Sequence, residues 1–429
     1  MGWDLLHAEG GVIVEIGSTY TKCGFTGEGV PRRILINQPY LHKLLIGEVE
    51  LVQTELSAQI RSLITEVFKA LYMNSDQLLV IYVLLNIYNI HEVTIKNTFN
   101  AEIRTFNTSL TEPPIYLQTQ FCSLISTAQD SGLVIDIGFN ETRVLPICHG
   151  KVISTALRII SIGSRNVLDK LKQMIVDENP HLTFSNALKN TSVLEDILVR
   201  ICYCDPKTIY QQALLSKRVD NTPRPWPIIP SKTSSLRSPI TPKHRVRSTS
   251  LKIVSSTNNP RFRSLTSPKI KQPEKIKNHL TYYCKDDERI SIDVDVMRTK
   301  PLEELFKSNN EGESIMKAVY ESIYSCEIDN RKLIVNNVVV CGGCSMYTGL
   351  FKRLCSELWQ YAQHREGRDL FDKIRVHKTN VIQTNLMAWN GASVMVTKLS
   401  STNTPLLGKV PQSPHSLSAS PRFKKINFF

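Results

Sequence analysis

Two β-hairpins with glycine-bearing turns, about a hundred residues apart, are the feature that most restricts what this sequence can fold into. The first is predicted from the β-branched run at residues 11–16, which resumes at residues 22–26. The second has the same design, with strands predicted at residues 133–137 and 142–147. A chain of 429 residues is long enough for two domains with substantial cores, and this strand–turn–strand unit occurs twice in it.

The two turns have the residues that a phosphate-binding loop needs. A glycine in the turn lets backbone N–H groups converge on phosphate oxygens, because no Cβ blocks the approach. The acidic residue before each turn, Glu15 or Asp136, is predicted to hold the waters around Mg²⁺, which keeps most of its hydration shell. The predicted nucleotide-binding residues are Gly17, Ser18, Thr19 and Lys22 in the first hairpin and Asp136, Gly138 and Phe139 in the second.

A third glycine turn makes the pattern more specific, since a single glycine turn is common in plain hairpins. A strong strand predicted at residues 333–340 runs into Gly342 and Gly343, and a helix is predicted at residues 350–362. A Gly-Gly turn after a buried strand is suited to cover an adenosine. The nucleotide-binding residues predicted in this turn are Gly342, Gly343, Cys344 and Met346.

The remaining periodicity alternates strands and helices. Apolar residues recur at helical spacing from Leu56 to Leu71, and residues 78–85 then indicate a buried strand. A second helix is predicted at residues 166–176, with its apolar side chains on one face. The longest apolar stretch, residues 77–90, falls short of the ~20 residues that span a bilayer, so no membrane span is expected.

The formal net charge of +13 is concentrated in residues 216–278. That segment holds fifteen Lys and Arg against two acidic residues and is rich in Pro, Ser and Thr, so it is predicted to be a disordered insertion. The tail at residues 400–429 has the same character. The insertion is either a plain solvated linker or a basic arm for acidic surfaces such as microtubules and membranes, weakened by phosphorylation at Ser-Pro sites.

Ten cysteines without a signal peptide at the N-terminus indicate reduced thiols in the cytosol or nucleus. Two close pairs, Cys202 with Cys204 and Cys341 with Cys344, could also be drawn as a zinc site. The first spacing is tighter than the usual zinc pattern, and no pair of histidines lies at ligand spacing beside them. Small buried cysteines are therefore the preferred interpretation.

Longer motifs resemble the actin-related proteins. The resemblance lies in residues 20–32, 136–146, 197–203, 314–347 and 388–393. It implies the α/β, two-lobed ATPase fold that is common to actin, sugar kinases and heat-shock chaperones. Carried onto this chain, it implies one lobe in residues 1–129 plus 387–429, and a second lobe in residues 130–386 that contains the insertion.

One departure from the family is a deletion. Only about twenty residues separate Arg32 from the helix predicted to begin near Thr54. In actin the corresponding stretch is roughly twice as long and holds the small pointed-end subdomain, whose exposed loop enters the neighbouring subunit. The resemblance therefore implies a reduced pointed-end subdomain and a protein that offers the next subunit of a filament little to bind.

Within the family, residues 21–25 and 374–377 most resemble the divergent branch at the pointed end of dynactin, known as actin-related protein 10 or 11. The resemblance implies a non-enzymatic subunit that caps the pointed end of the dynactin filament in the cytoplasm and supports dynein-based transport along microtubules. The implied partners are the actin-related filament subunits and the other pointed-end subunits. A nucleic-acid partner is not expected.

The other departures fall on the nucleotide site. The resemblance places Thr119 where the family has a Gln tied to hydrolysis, with Gln118 and Gln120 predicted to face elsewhere. Arg143 stands where the family has a His, and Glu15 where it has an Asp. These replacements imply that the site has no catalytic residues.

On the adenosine side, the Lys and Glu that the family offers to base and ribose correspond to Leu198 and Val199, and a further Lys corresponds to Asn385. The implied cofactor is ATP or ADP with Mg²⁺, held as a structural ligand and hydrolysed slowly or not at all. Two alternatives stay open: an empty cleft whose glycines serve only the turns, and an efficient ATPase.

Two other functions compete with the filament cap. A nuclear actin-related subunit of a chromatin-remodelling complex would use the basic insertion on DNA or on acidic histone surfaces. An ATP-dependent kinase of the same superfamily would need a catalytic Asp aimed at a substrate between the lobes, which Asp136 alone does not provide. The reduced pointed-end subdomain favours the cap.

Overall fold

The computed structural model describes the parts of the chain that form the fold and the candidate site. These are residues 11–73, 80–85, 91–106, 113–182, 188, 191–205, 279–283, 289–363, 365–366, 368–377 and 382–401. The predicted insertion at residues 216–278 and the tail beyond residue 401 lie outside them, so the expectations for both stay predictions. All described residues belong to one compact unit of the chain.

The first hairpin lies in the middle of a five-stranded sheet. Its strands are β1 (Val12–Ile16), β2 (Tyr20–Phe25), β3 (Arg33–Ile36), β4 (Ile81–Leu85) and β5 (Ile115–Leu117). Their order across the sheet is β3-β2-β1-β4-β5. β1 is antiparallel to β2 and parallel to β4, which confirms the predicted hairpin. The strand predicted at residues 78–85 is confirmed from Ile81 to Leu85, and residues 78–79 lie outside the described residues.

The second hairpin lies in a second sheet. The remaining strands are β6 (Gly132–Ile137), β7 (Thr142–Cys148), β8 (Lys151–Val152), β9 (Arg158–Ile160), β10 (His279–Tyr283), β11 (Arg289–Asp293) and β12 (Val338–Cys341). β12, β6, β7 and β8 follow one another across the sheet, β9 pairs with β7, and β10 pairs with β11 in a separate two-stranded sheet. β6 is antiparallel to β7 and parallel to β12, so each hairpin has a parallel neighbour from a later part of the chain.

Helices fill the space around the two sheets. The α-helices are α1 (Pro39–Leu45), α2 (Gln53–Ala70), α3 (Glu92–Phe106), α4 (Thr119–Ile125), α5 (Ser164–Glu178), α6 (Thr191–Ile201), α7 (Val294–Met297), α8 (Ile315–Tyr324), α9 (Ile328–Val335), α10 (Leu350–Ala362), α11 (Arg368–Phe371) and α12 (Met387–Ser401). Short 3₁₀ helices occupy Ser154–Ala156, Pro180–Leu182, Lys300–Phe306, Gly343–Met346 and Thr384–Leu386. Within the described ranges, no helix combines the length and the apolar character needed to cross a bilayer.

The first sheet is covered on both faces, because successive side chains of a strand point to opposite sides. Val12 and Ile16 of β1 pack with buried side chains of α1, α2 and α3. Ile13 packs instead with the fully buried Trp389 of α12. α12 approaches α4 so closely that a Cβ on Gly391 would lie 1.7 Å from the carbonyl oxygen of Cys122. The helix at the C-terminal end of the described chain therefore packs back onto the sheet that the first hairpin forms.

The prediction of a strand over residues 333–340 is wrong for the first half of that range. Residues 333–335 complete α9, Asn336 caps that helix, and β12 begins only at Val338. The prediction failed because a continuous apolar run does not by itself separate the end of a helix from a buried strand. The other predicted helices are confirmed as α2, α5 and α10.

Candidate functional site

The two glycine turns are closed by the same backbone hydrogen bond. In the first turn, the Gly17 N–H donates to the carbonyl oxygen of Tyr20 at 3.0 Å. In the second, the Gly138 N–H donates to the carbonyl oxygen of Glu141, also at 3.0 Å. The shared sequence pattern therefore produces the same local backbone twice.

Both turns line one cavity of about 600 Å³, and the third glycine turn lines it as well. The predicted site residues along its wall are Glu15, Gly17, Ser18, Thr19, Lys22, Asp136, Gly138, Phe139, Gly342, Gly343 and Met346. Cys344 is not among the lining residues, because its side chain is fully buried with Sγ 3.5 Å from the carbonyl oxygen of Gly138. Tertiary packing thus brings three turns that are far apart in the sequence to one place.

Lys22 joins the first hairpin to the segment that precedes α12. It stands opposite Glu15 across the hairpin, and its Nζ lies 2.5 Å from Glu15 Oε1. The same Nζ donates to the backbone carbonyl oxygen of Asn385 at 2.7 Å. The side chains of Lys22 and Glu15 are only 14% and 11% exposed, so this ion pair lies almost out of water.

The second hairpin surrounds its carboxylate differently. Gln120 of α4 donates from Nε2 to Asp136 Oδ2 at 3.0 Å. Gln120 does not line the cavity, whereas Thr119 does, in agreement with the prediction that Gln120 faces elsewhere. The prediction did not include the contact with Asp136, which arises because α4 packs on β6 and carries this buried amide to the carboxylate. Arg143 stands opposite Asp136 and donates from Nε to Glu141 Oε1 at 2.7 Å. Gln118 is exposed and does not line the cavity, which agrees with the prediction that it faces elsewhere.

The N-terminus of α5 lies against the second turn. The N–H groups of Ser164 and Arg165 donate to the carbonyl oxygens of Gly138 and Phe139 at 3.0 Å and 2.8 Å. The first N–H groups of a helix have no partner inside the helix, and here the turn supplies one. A Cβ on Gly163 would lie 2.4 Å from the Phe139 carbonyl oxygen, so the contact requires glycine. The sequence analysis missed this contact; a glycine directly before a helix is the signal that could have found it.

The third turn comes close to the second hairpin. Gly342 has φ +90°, and a Cβ there would lie 2.4 Å from the carbonyl oxygen of Ile137. At Gly343 no atom lies within 4 Å of the position that a Cβ would take. Since Gly343 lines the cavity, its backbone is open to close approach by a ligand.

The cavity wall contains buried polar atoms that the protein leaves unsatisfied. Among the described residues, Glu15 Oε2, Thr19 Oγ1, Thr119 Oγ1 and Asn385 Oδ1 are buried without a hydrogen-bond partner, and all four residues line the cavity. Leaving a buried polar group unpaired costs about 1–3 kcal/mol. Such atoms around one cavity indicate a ligand with its own polar groups or ordered water. Together with the glycine turns and Lys22, they fit a phosphate group and a hydrated cation.

Another part of the wall, formed by α6 and the third turn, is apolar. Val199 and Met346 line it, with 71% and 45% of their surface exposed. Tyr347 lines it too, and burial raises the pKa of its hydroxyl. Leu198 is fully buried in the core and does not line the cavity. Apolar side chains of this kind suit the face of a purine base.

The short helix α1 ends at the cavity. Residues 45–47 line it, and the ring of His42 meets that of Phe139 edge to face with centroids 5.3 Å apart. Glu48 accepts a hydrogen bond from Arg165 at 2.6 Å. These contacts join the segment after β3 to the second hairpin and α5. No sequence pattern predicted them, because they depend on how distant elements pack.

Tyr20 and Glu195 also meet at this cavity. The hydroxyl of Tyr20, directly after the first turn, donates a short hydrogen bond to Glu195 Oε2 of α6, and both residues line the wall. Burial raises the pKa of the Glu195 carboxyl, and the Tyr20 hydrogen bond and nearby His42 oppose that rise. Burial likewise raises the pKa of Tyr20, and Glu195 adds to the effect. The sequence analysis singled out neither residue.

The cysteines of the two close pairs are buried, as predicted. Burial raises the pKa of Cys202, Cys204 and Cys344 to about 12 each, and it also raises the pKa of Cys341. In the part of the chain that the structure describes, no group of three His, Cys, Asp or Glu side chains is placed to hold a metal ion.

Comparison with known proteins connects this site to one family. The sequence model of the actin family matches residues 102–212 and 256–404, more than half of the chain. Actin-related protein 10 of Dictyostelium discoideum is 23% identical over 468 aligned residues, which cover 92% of this chain and 84% of that protein. Actin-like protein 8 of Homo sapiens is 34% identical over 122 residues, which cover 27% of this chain and 30% of that protein. The family match includes the second hairpin and the third turn.

Proposed function

The chain belongs to the actin family and has its mixed α/β fold, and from this premise we propose that it caps the pointed end of the dynactin filament as a non-enzymatic actin-related subunit. In that role it supports dynein-based transport along microtubules, in the cytoplasm and at the cytoskeleton. Its direct partners are actin-related filament subunits and the other pointed-end subunits of dynactin. The resemblance to actin-related protein 10 over 92% of the chain supports the proposal.

The observation that carries the proposal is how little chain separates β3 from α2. Between these elements the one helix is α1, which has seven residues. Leu41, Leu44 and Leu45 of this helix are buried in the core beside the first sheet, and residues 45–47 line the cavity. The segment therefore packs on its own protein instead of projecting toward a neighbour. A subunit without a projecting loop gives the next subunit little to bind and ends the filament.

A filament-growth experiment tests the cap directly. The full-length protein is added to labelled seeds of actin-related filament subunits, and growth at each end is followed by fluorescence microscopy. We expect growth to stop at the pointed end and to continue at the other end. Filaments formed by the purified protein alone, or unchanged pointed-end growth, would contradict the proposal.

A loop variant sharpens that experiment. Replacing residues 46–51 with an actin-type pointed-end loop should restore part of the elongation, because the next subunit regains its contact. A Gly-Ser insertion of equal length at the same place is the matched control and should leave the end capped. Equal elongation with both insertions would show that length alone matters and would contradict the contact that the proposal requires.

The companions of the endogenous protein distinguish the cap from a nuclear function. Tagging, gentle purification and mass spectrometry should show dynactin subunits that sediment with it in one large particle. Companions from a chromatin-remodelling complex would contradict the cap. The nuclear alternative rests on the basic segment at residues 216–278, which lies outside the described residues, and the comparisons do not favour it.

We further propose that ATP or ADP with Mg²⁺ is held in the cavity as a structural ligand. The glycine turns at residues 17–19 and 138–140 and the ammonium group of Lys22 would hold the phosphates, and Glu15 and Asp136 would hold the hydrated cation. When bound, Mg²⁺ neutralises phosphate charge. The unsatisfied polar atoms in the wall support this assignment.

The described residues also support slow or absent hydrolysis. Efficient hydrolysis needs a group that orients the attacking water. Thr119, at the position that the resemblance assigns to this task, offers only a short hydroxyl. The amide of the neighbouring Gln120 donates to Asp136, and the guanidinium of Arg143 donates to Glu141.

Nucleotide content and thermal stability test this second proposal. Heating the gently purified protein should release about one ATP or ADP per chain, measured by ion-exchange chromatography. Adding ATP with Mg²⁺ to depleted protein at 100 times Kd should stabilise it by about 2.7 kcal/mol, seen as a rise in Tm. Absence of both bound nucleotide and a Tm shift would contradict it, and steady phosphate release at the rate of filamentous actin would contradict the non-enzymatic part.

A further inference from the structure

A carboxylate that the sequence patterns did not single out lies on the cavity wall. Glu195 of α6 accepts a hydrogen bond from the Tyr20 hydroxyl through Oε2. Its second oxygen, Oε1, makes no hydrogen bond or ion pair among the described residues. One half of this carboxylate is thus fixed, and the other half is available to a ligand in the cavity.

Glu195 lies between two different parts of the cavity wall. On one side it contacts Tyr20, which directly follows the turn at residues 17–19. On the other side, Val199 lies one helical turn further along the same face of α6 and belongs to the apolar wall. The charge of Glu195 also contributes to the raised pKa of Tyr347 in that wall. Glu195 therefore stands between the turn suited to phosphate and the surface suited to a base.

The part of a nucleotide between its phosphates and its base is the sugar. A carboxylate repels phosphate and gains nothing from the apolar face of a base, whereas it accepts hydrogen bonds from hydroxyl groups. Adjacent ribose hydroxyls supply two such donors, and an acidic side chain that accepts from the 2′-hydroxyl is a known means of ribose recognition in other folds. The chemistry of Glu195 matches its place in the cavity.

We propose that Glu195 is a specificity-determining residue that accepts hydrogen bonds from the 2′- and 3′-hydroxyls of a bound ribonucleotide, with Tyr20 as its positioning residue. The inference rests on the nucleotide site proposed above and adds the class of sugar that it takes.

The experiment compares three nucleotides on the depleted full-length protein by isothermal titration calorimetry. ATP, 2′-deoxy-ATP and 2′,3′-dideoxy-ATP differ only in the hydroxyls that Glu195 would receive. Hydrogen bonds to a charged group are worth enough that we expect about tenfold weaker binding for each hydroxyl removed. In Glu195→Gln, which keeps the shape and loses the charge, the preference for ATP over the dideoxy nucleotide should fall by about tenfold.

Two further variants separate recognition from a structural role. Tyr20→Phe removes only the positioning hydroxyl and should reduce the sugar preference more than it reduces binding of the dideoxy nucleotide. Asp196→Asn is the matched control, since Asp196 neighbours Glu195 on α6, bonds Arg200 and Tyr282, and does not line the cavity. It should leave the preference unchanged. Circular dichroism and Tm of each variant show whether it is folded.

The outcomes distinguish this inference from the nucleotide site itself. A wild-type protein that binds none of the three nucleotides overturns both. A wild-type protein that binds all three equally, or a folded Glu195→Gln variant that keeps the full preference for ATP, overturns the role of Glu195 and leaves the nucleotide site standing. Loss of the preference in Glu195→Gln with dideoxy binding retained supports the role.

Discussion

The two glycine hairpins share a backbone and differ in what surrounds it. Around the second, the protein supplies partners of its own: the amides at the start of α5 bond the turn carbonyls, and Gln120 bonds Asp136. Around the first, Lys22 pairs with Glu15, yet Glu15 Oε2 and Thr19 Oγ1 remain without partners among the described residues. The carbonyl oxygens of the first turn also have protein partners, since Asn37 Nδ2 donates to Gly17 at 2.7 Å and the His42 ring lies 2.9 Å from the Ser18 oxygen. The two hairpins therefore differ in their buried side-chain oxygens and not in the backbone of their turns.

This difference teaches where a ligand matters most. A buried polar atom without a partner is unfavourable, and native proteins keep few of them. Two of the four such atoms in the cavity wall, Glu15 Oε2 and Thr19 Oγ1, belong to the first hairpin, and none belongs to the described residues of the second. We therefore expect the first hairpin to depend more on a bound group than the second does. Variants on the two sides should therefore fail in different ways.

The largest loss of folding stability is expected from Lys22→Met. This change leaves the carboxylate of Glu15 buried without its cation, and breaking one partner of a buried ion pair costs about 3–5 kcal/mol. The free energy of unfolding, measured by urea denaturation, should fall by about 3 kcal/mol, and nucleotide binding should be lost. Lys96→Met, which breaks the more exposed pair with Glu92, is the control and should cost about 0.5 kcal/mol or less. If both variants lost a similar free energy of unfolding, the ion pair at the first hairpin would be no more important than an exposed one, and the contrast drawn here would fail.

The next largest effect is expected from alanine substitutions of one glycine at each turn, which should change stability and nucleotide affinity differently. A Cβ at Gly163 meets the backbone oxygen of Phe139 at 2.4 Å, so Gly163→Ala should lower the free energy of unfolding by about 2 kcal/mol. A Cβ at Gly17 lies 3.1 Å from the oxygen of Tyr20, so Gly17→Ala should cost less stability and should mainly weaken nucleotide binding. Denaturation and nucleotide titration of both variants check this. Equal losses of affinity in both would show that the second turn is as open as the first.

The smallest effect concerns Glu195 in nucleotide-free protein. Because burial raises its pKa in the folded state, the folded protein binds more protons than the unfolded chain between the ordinary and the raised pKa, and stability falls as pH rises through that window. Glu195→Gln removes this penalty and should raise Tm slightly at pH 7. The difference should disappear below about pH 3, where the carboxyl is protonated in both states. A lower Tm for the variant at neutral pH would mean that the charge stabilises the empty fold.

Much of the fold and part of the site could be predicted from the sequence. The two hairpins and helices α2, α5 and α10 were predicted because β-branched runs, glycine turns and apolar spacing act over a few residues. The boundary at Asn336 was not, because the apolar run before β12 has no local signal that separates helix from strand. The predicted division into two lobes stays a prediction.

By itself, the sequence determined the three glycine turns and the cavity residues that belong to them, because a turn depends on backbone freedom at one or two positions. Only the tertiary structure decided that Gln120 donates a hydrogen bond to Asp136 and that Tyr20 donates one to Glu195. The first contact spans 16 positions of the chain and the second spans 175, and both exist only once helices have packed on sheets. A local pattern specifies a backbone shape, whereas the partner of a buried polar group is set by whichever distant element fills the space beside it.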